Sequence, residues 1–276
     1  MSDMGWNLAT GQDACTPPGG ATTAPSRSGS GIGRGRVMAA MLGLVLAAIA
    51  PSCRRSHAPQ RRLPSRVDLQ SLRQVYGEAR YSQDDEETLI RAFFHDRRGG
   101  FFLDVGAGDP VEHSTTYYLE KHLGWSGIAV DALAEYAKAY AYKRPATRFA
   151  NYFVGDTSDT TRDFFVSEDR DFSSATGSDP RGGTYRKRRV PTLTLGDLLA
   201  REKATRIDFL SMDIEGAEPL ALTGLDLRRY PPELTCIEVS SPENARFIAE
   251  YFALRGCREV SAYRAVDGIN RYYTCR

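Results

Sequence analysis

The stretch Phe101-Phe102-Leu103-Asp104-Val105-Gly106-Ala107-Gly108-Asp109 leaves this chain few folds to choose from. An apolar run broken by one Asp enters a Gly-x-Gly turn closed by a second carboxylate. Such a run reads as a strand buried on both faces, as in a parallel sheet. The glycines let the backbone turn tightly and bring bare N–H groups close to a ligand. Asp104 and Asp109 then stand at the carboxyl edge of the sheet, where open α/β sheets bind ligands. Two carboxylates repel a phosphate, so the expected guest is hydroxyl-rich or cationic, a nucleoside-type ligand with positive charge.

A second short apolar strand, Gly127-Ile128-Ala129-Val130-Asp131, follows and again ends in an acid. An acid about twenty residues after the glycine turn hydrogen-bonds ribose hydroxyls in dinucleotide-binding folds. Helical spacing over Thr115 to Leu123, with Tyr118, Leu119 and His122 near one face, completes a right-handed βαβ unit. Further on, Ile207-Asp208-Phe209-Leu210-Ser211-Met212-Asp213-Ile214-Glu215-Gly216-Ala217-Glu218 repeats the pattern of buried strand, acid and helix. Acids favour the first turn of a helix, which accounts for Glu218 and partly for Glu215. It does not account for Asp213, which a strand end would aim into a cleft. A strand over Leu234 to Val239 carries Glu238 near its own carboxyl end.

At these residues the chain resembles the FkbM-type family of S-adenosylmethionine-dependent methyltransferases, from about Tyr81 to Val260. The likeness rests on Tyr81-Ser82-Gln83, the turn from Asp104 to Asp109, and Gly124-Trp125-Ser126-Gly127-Ile128. It rests most on the string from Asp208 to Glu218, and also on Ile237-Glu238. The second strand ends Val130-Asp131-Ala132 where the family usually has Glu-Pro, and His113-Ser114-Thr115-Thr116 replaces a frequent Asn. The resemblance implies a Rossmann-like, doubly wound α/β sheet of the class I methyltransferase type, with S-adenosylmethionine as cofactor. It implies that Gly106 and Gly108 pass under the cofactor, that Asp104 helps hold its amino acid end and that Asp131 takes the ribose hydroxyls. Asp109 belongs to the same set. Asp156, after a third strand, is expected near the adenine or else as a simple turn residue. The family is associated with O-methylation of sugars and related hydroxyl compounds, so a hydroxyl of a glycan, glycolipid or related natural product is the expected acceptor.

Methyl transfer to an alcohol needs alignment and a base for the hydroxyl proton. Asp213, Glu215 and His113 are the catalytic candidates, with Glu238 a further base. Two carboxylates also suit a hard cation, but Asp213 and Glu215 alone are a weak signal, and no metal is expected. Two rivals stand beside this reading. A nucleotide-dependent oxidoreductase could begin with the same βαβ unit, although Val111-Glu112 stand where a dinucleotide site wants a third glycine. A non-catalytic, membrane-tethered module of the same fold is the other.

Composition adds boundaries. With 276 residues, 41% hydrophobic and 26% charged, the chain can bury one sizeable core plus appendages. A formal net charge of +1 gives no reason to expect a nucleic-acid partner. Residues 1–36 lack periodicity and read as a disordered tail. Residues 37–53 hold an apolar stretch, Val37 to Ala50, signal-like or anchor-like; as a helix it reaches only about 21 Å against a hydrocarbon core of ~30 Å. A start-site artefact is a third reading. Residues 54–78 read as a linker and 79–276 as the catalytic domain, cytoplasmic, with membrane association through residues 37–50 left open by the arginines that follow. A helix is expected from Asp84 to Phe94 and another from Pro242 to Arg255. Arg186-Lys187-Arg188-Arg189 reads as a solvated loop, ending an insertion from Glu168 to Gly183 that could close over an anionic glycan or phosphorylated carrier. The chain ends in an antiparallel strand pair, Cys257 to Arg264 and Gly268 to Cys275. Its flanking cysteines could pair if the protein is exported.

Overall fold

A computed structural model describes residues 63–167, 173–174 and 184–275. Five strands lie parallel at its centre: β1 (Phe101–Val105), β2 (Ser126–Asp131), β3 (Thr147–Asn151), β7 (Phe209–Met212) and β8 (Leu234–Glu238). Two more, β9 (Arg258–Glu259) and β10 (Asn270–Thr274), close the sheet antiparallel, giving the order β3-β2-β1-β7-β8-β10-β9. The chain builds outward from β1 to β3, then crosses back to β7 on the other side of β1. That reversal makes the β1/β7 boundary a topological switch point, where a crevice opens beyond the carboxyl ends.

Alternation along each strand explains the continuous apolar runs. Leu103, Val105, Ile128, Val130, Leu210, Met212 and Ile237 share one buried cluster with side chains of α5 (Leu195–Arg201), α6 (Glu218–Thr223) and α7 (Pro242–Ala253). Phe102, Phe209, Leu234 and Tyr272 point the other way. They meet side chains of α2 (Glu86–Phe94), α3 (Tyr117–Leu123) and α8 (Ser261–Arg264). Both faces are covered, so neither can be polar. Asp104 breaks the rule on the second face, 5% exposed.

Between β3 and α5 a second, three-stranded sheet is inserted: β4 (Phe153–Val154), β5 (Thr160–Ser167) and β6 (Tyr185–Leu193), ordered β4-β6-β5. Its Phe153, Phe164, Val166 and Val190 pack with Ala107 of the glycine turn, with Leu133, and with Tyr136 and Tyr140. Those two tyrosines belong to a short 3-10 turn, Ala134–Tyr136, running into α4 (Ala137–Lys143). The small sheet therefore roofs the carboxyl edge of the large one.

Several expectations need correction. Arg186 to Arg189 are not a loop: they occupy β6, the central strand of the small sheet, opposite Val166 to Asp163. Exposed Lys187 pairs with Asp163 at 2.7 Å and Arg188 with Glu135, which lets charges sit in a strand with one solvated face. Residues 69–76 of the segment read as linker form α1, capped by Asp68, whose carboxylate accepts the Gln70 N–H. The strand expected from Cys257 to Arg264 is only two residues long before α8 begins. The buried side of α3 is Leu119, Glu120 and Leu123, while His122 meets the Tyr81 hydroxyl at 3.3 Å. Cys257 and Cys275 form a disulfide, at the sheet edge away from the crevice. Most of the insertion from 168 to 183, and the apolar stretch 37–50, lie outside the described residues. Among those described, no helix is long and apolar enough to cross a membrane.

Candidate active site

A cavity of about 680 Å³ occupies the crevice at the switch point. That is within the range of small-molecule sites, about 300–1,000 Å³. The glycine turn divides its lining. On the β2 side lie Asp131, Leu133, Tyr136, Phe153 and Phe164; on the other stand Asp213, Glu215, Glu238 and Asn270, with Glu86 of α2.

The turn explains both glycines. Gly106 has φ +78, and a β-carbon there would stand 1.7 Å from the Asp213 carbonyl oxygen. The backbones leaving β1 and β7 are that close because the Asp213 N–H donates to the Val105 carbonyl at 2.9 Å. Gly108 has φ +53 and its missing side chain would meet nothing within 4 Å. Its bare backbone therefore borders open cavity, the condition for close approach by a ligand.

Asp131 ends β2 with both oxygens engaged. Leu133 N–H donates to one at 2.7 Å and Gly108 N–H to the other at 3.0 Å. Burial nevertheless raises this carboxyl to about 6, against the pull of those two donors. Each oxygen keeps a lone pair for a hydroxyl donor. Asp104 is also raised by burial, opposed by a hydrogen bond from the Thr116 hydroxyl and by the positive Arg144. Thr116 Oγ1 donates to Asp104 Oδ2 at 2.5 Å. Asp109 lines the cavity, but one of its oxygens accepts the N–H groups of Val111 and Glu112, so it also shapes its own loop. Asp156 follows the second of its two readings, a turn residue: it is exposed after β4 and is not among the described lining residues. The chain there is a two-residue strand that turns into the small sheet, which carries Asp156 away from the crevice.

Across the turn, carboxyls face one another. Asp213, Glu218 and Glu238 each bring an oxygen to within 4.8 Å of the others. Glu218 is committed elsewhere: one oxygen accepts the N–H groups of Ile214 and Gly216 at 3.0 and 3.2 Å, and Asn244 reaches the other at 3.3 Å. It clamps the loop in which Glu215 has φ +54. Burial lifts Glu218 to about 7. Glu238 is pushed up to about 9, by burial first and then by the charges of Asp213, Glu218 and Glu215; it shares a hydrogen bond with Asp213. Burial and its carboxyl neighbours thus bias Glu238 toward its protonated form, and Asp213 beside it is exposed at the cavity. His113, exposed with φ +58, and Glu215 also line this end.

The site fits S-adenosylmethionine. Bare backbone at Gly108, a hydroxyl-accepting carboxylate at Asp131 and an apolar slot of Leu133, Tyr136 and Phe153 suit a nucleoside, while Asp104 suits a cation. The sequence reading gave no role to Glu86, Asn270, Thr116 or Arg144. Glu86 accepts the Asn270 side-chain N–H at 3.2 Å across 184 residues, a pairing that no local pattern announces.

Among solved structures, the chain is similar to the precorrin-6y C5,15-methyltransferase of Geobacter metallireducens: 11% identity, 67% of this chain and 78% of that one, TM-score 0.38. A TehB-like SAM-dependent methyltransferase from Corynebacterium glutamicum gives 13%, 75%, 94% and 0.39. The O-methyltransferase from Bacillus cereus in complex with SAH gives 10%, 74%, 88% and 0.37. Likeness at this level bears on neither substrate nor mechanism. No curated protein matches the chain. The Methyltransferase FkbM domain family matches residues 104–259, over half of the sequence, including Asp104, Asp109, Asp131, Asp213, Glu215, Glu218 and Glu238, and the chain belongs to that family.

Proposed function

We propose that this enzyme transfers a methyl group from S-adenosylmethionine to a hydroxyl of a neutral or aminated glycan or related polyhydroxyl compound. The observation that carries the acceptor class is the charge of the cavity: nine Asp and Glu side chains line it, with neither Lys nor Arg among the described lining residues. A phosphorylated or otherwise anionic acceptor would meet repulsion on every side, the reverse of what charge complementarity demands.

Bound S-adenosylmethionine supplies an electrophilic methyl group on a cationic sulfur. Gly106, Gly108, Asp104, Asp109 and Asp131 would hold it. Asp213 is the general base, an anion at a strand end facing the acceptor side. The protonated Glu238 beside it keeps two charges from sharing one spot and leaves Asp213 to take the hydroxyl proton. Glu215 and His113, at the same end, contact the acceptor. Alignment of the acceptor oxygen does much of the rest. No nucleic-acid partner is part of this reading.

The test is methyl transfer by the full chain from labelled cofactor to three panels: neutral glycosides, aminoglycosides and sugar phosphates. Label in O-methyl products of the first two, lost in Asp213→Asn, is expected. Preferred labelling of sugar phosphates, or products methylated only at nitrogen, would overturn it.

A further inference from the structure

Arg144 is wholly buried at the end of α4 and outside the cavity lining. Its guanidinium carbon lies 5.3 to 5.8 Å from the ring centres of Phe102, Tyr140 and Tyr117. Nε donates to Glu120 Oε2 at 2.8 Å, and Nη1 donates to Ser114 Oγ at 3.3 Å and to Thr116 Oγ1 at 3.0 Å. The Thr116 hydroxyl passes the contact on to Asp104 at 2.5 Å. Accepting from Arg144 leaves Thr116 its one proton to give, so its hydroxyl can point only as a donor at a carboxylate.

One buried guanidinium stands among two buried carboxyls. Glu120 also accepts the Thr147 hydroxyl at 2.5 Å and the Ala146 N–H at 3.2 Å, so it is the direct, fully engaged partner of Arg144. Asp104 is then a second buried carboxyl, its charge disfavoured by burial and reached by Arg144 only through Thr116. A structural ion pair would not need it, since burying a charge without a partner is costly. A site for a cation does.

We propose that Arg144, acting through Thr116, is a positioning residue that holds Asp104 ionised and aimed at the cavity, so that this carboxylate receives the positive end of the cofactor. The proposal rests on the cofactor reading above but is tested apart from it. The groups that bear on Asp104 are Arg144 and Tyr140 of the α4 region, Asp131 at the end of β2 and Asp213 beyond β7. The two carboxylates disfavour its charge, and Arg144 is the cation that favours it.

The experiment follows the Asp104 carboxyl carbon by NMR through a pH titration of the ligand-free full chain, the signal being assigned by its loss in Asp104→Asn. Thr116→Val removes only the hydroxyl and keeps the volume. Arg144→Gln combined with Glu120→Gln keeps the site neutral where Arg144→Gln alone would strand Glu120. Each is expected to move the Asp104 midpoint upward by about one pH unit, and to move the pH below which S-adenosylhomocysteine binding falls by the same amount. Unmoved midpoints in both variants would overturn the proposal, even where binding weakens at all pH values. Failure of wild type to bind S-adenosylhomocysteine would count against the cofactor reading, while the ligand-free titration would still decide the role of Arg144.

Discussion

The two halves of the crevice use the same device, an acid at the end of a buried strand, in opposite surroundings. On the β1–β2 side the carboxylates meet donors: Thr116 for Asp104, Gly108 and Leu133 for Asp131. On the β7–β8 side Asp213 and Glu238 meet each other, and one buried oxygen of Glu238, Oε2, has no hydrogen-bond partner. Donors fix a carboxylate as an acceptor of fixed shape; a second carboxyl makes it a place where a proton is shared. On the proposed function, one half binds and the other moves a proton.

The largest effect should come from Asp213→Asn, which removes the proposed base and leaves the β1–β2 side alone. We expect turnover to fall by about 10²- to 10⁴-fold with S-adenosylhomocysteine affinity unchanged, by rate assay and calorimetry. Gly106→Ala strikes the wall common to both halves. Its β-carbon would collide with backbone at a left-handed φ, and a loss of about 3 kcal/mol or more should appear in thermal denaturation.

The pH responses sharpen the contrast. Burial raises Asp131 to about 6 from an ordinary 3.8. Its contribution to stability is thus fully present below about 4 and is lost as pH rises through about 6. Hydroxyl donors of a bound nucleoside offset that loss. S-adenosylhomocysteine should then raise the melting temperature more at pH 7 than at pH 5, with affinity about tenfold tighter. Glu238→Gln should leave turnover at pH 7 within about threefold, a change of under 1 kcal/mol. It should also abolish a fall in rate above pH about 9 that is expected of wild type as Glu238 loses its proton.

How much of this was legible in the sequence follows the same division. The strands β1, β2, β7 and β8 could be read because burial on both faces forces unbroken apolar runs, and each terminal acid stands out against its run. Asp104, Asp131 and Asp213 line the cavity for that reason. What the sequence hid is tertiary. Arg144 lies 28 residues from Thr116 and 24 from Glu120 in an unremarkable Tyr-Lys-Arg segment, and only the packing of α4 on β3 joins them. The basic run 186–189 looked like solvent-exposed loop because its partner strand, β5, carries the apolar side chains that bury the hairpin. Asp156 looked like another strand-end acid, but β4 leads into the small sheet instead of the crevice.

The smallest effect on either half belongs to the disulfide. Cys257 and Cys275 close an 18-residue separation at the opposite edge of the sheet. Its reduction should cost about 3 kcal/mol, roughly 6–12 °C in melting temperature, without changing the affinity for S-adenosylhomocysteine. Thiol trapping of protein from its native compartment, read by mass spectrometry, would show whether the pair is oxidised there.

The division between a binding half and a proton-handling half is tested most directly by calorimetric titration of S-adenosylhomocysteine into the full chain and its Asp131→Ala and Asp213→Asn variants. Binding abolished by the first change and retained by the second is the predicted result. Equal loss in both variants, or full binding in both, would contradict it.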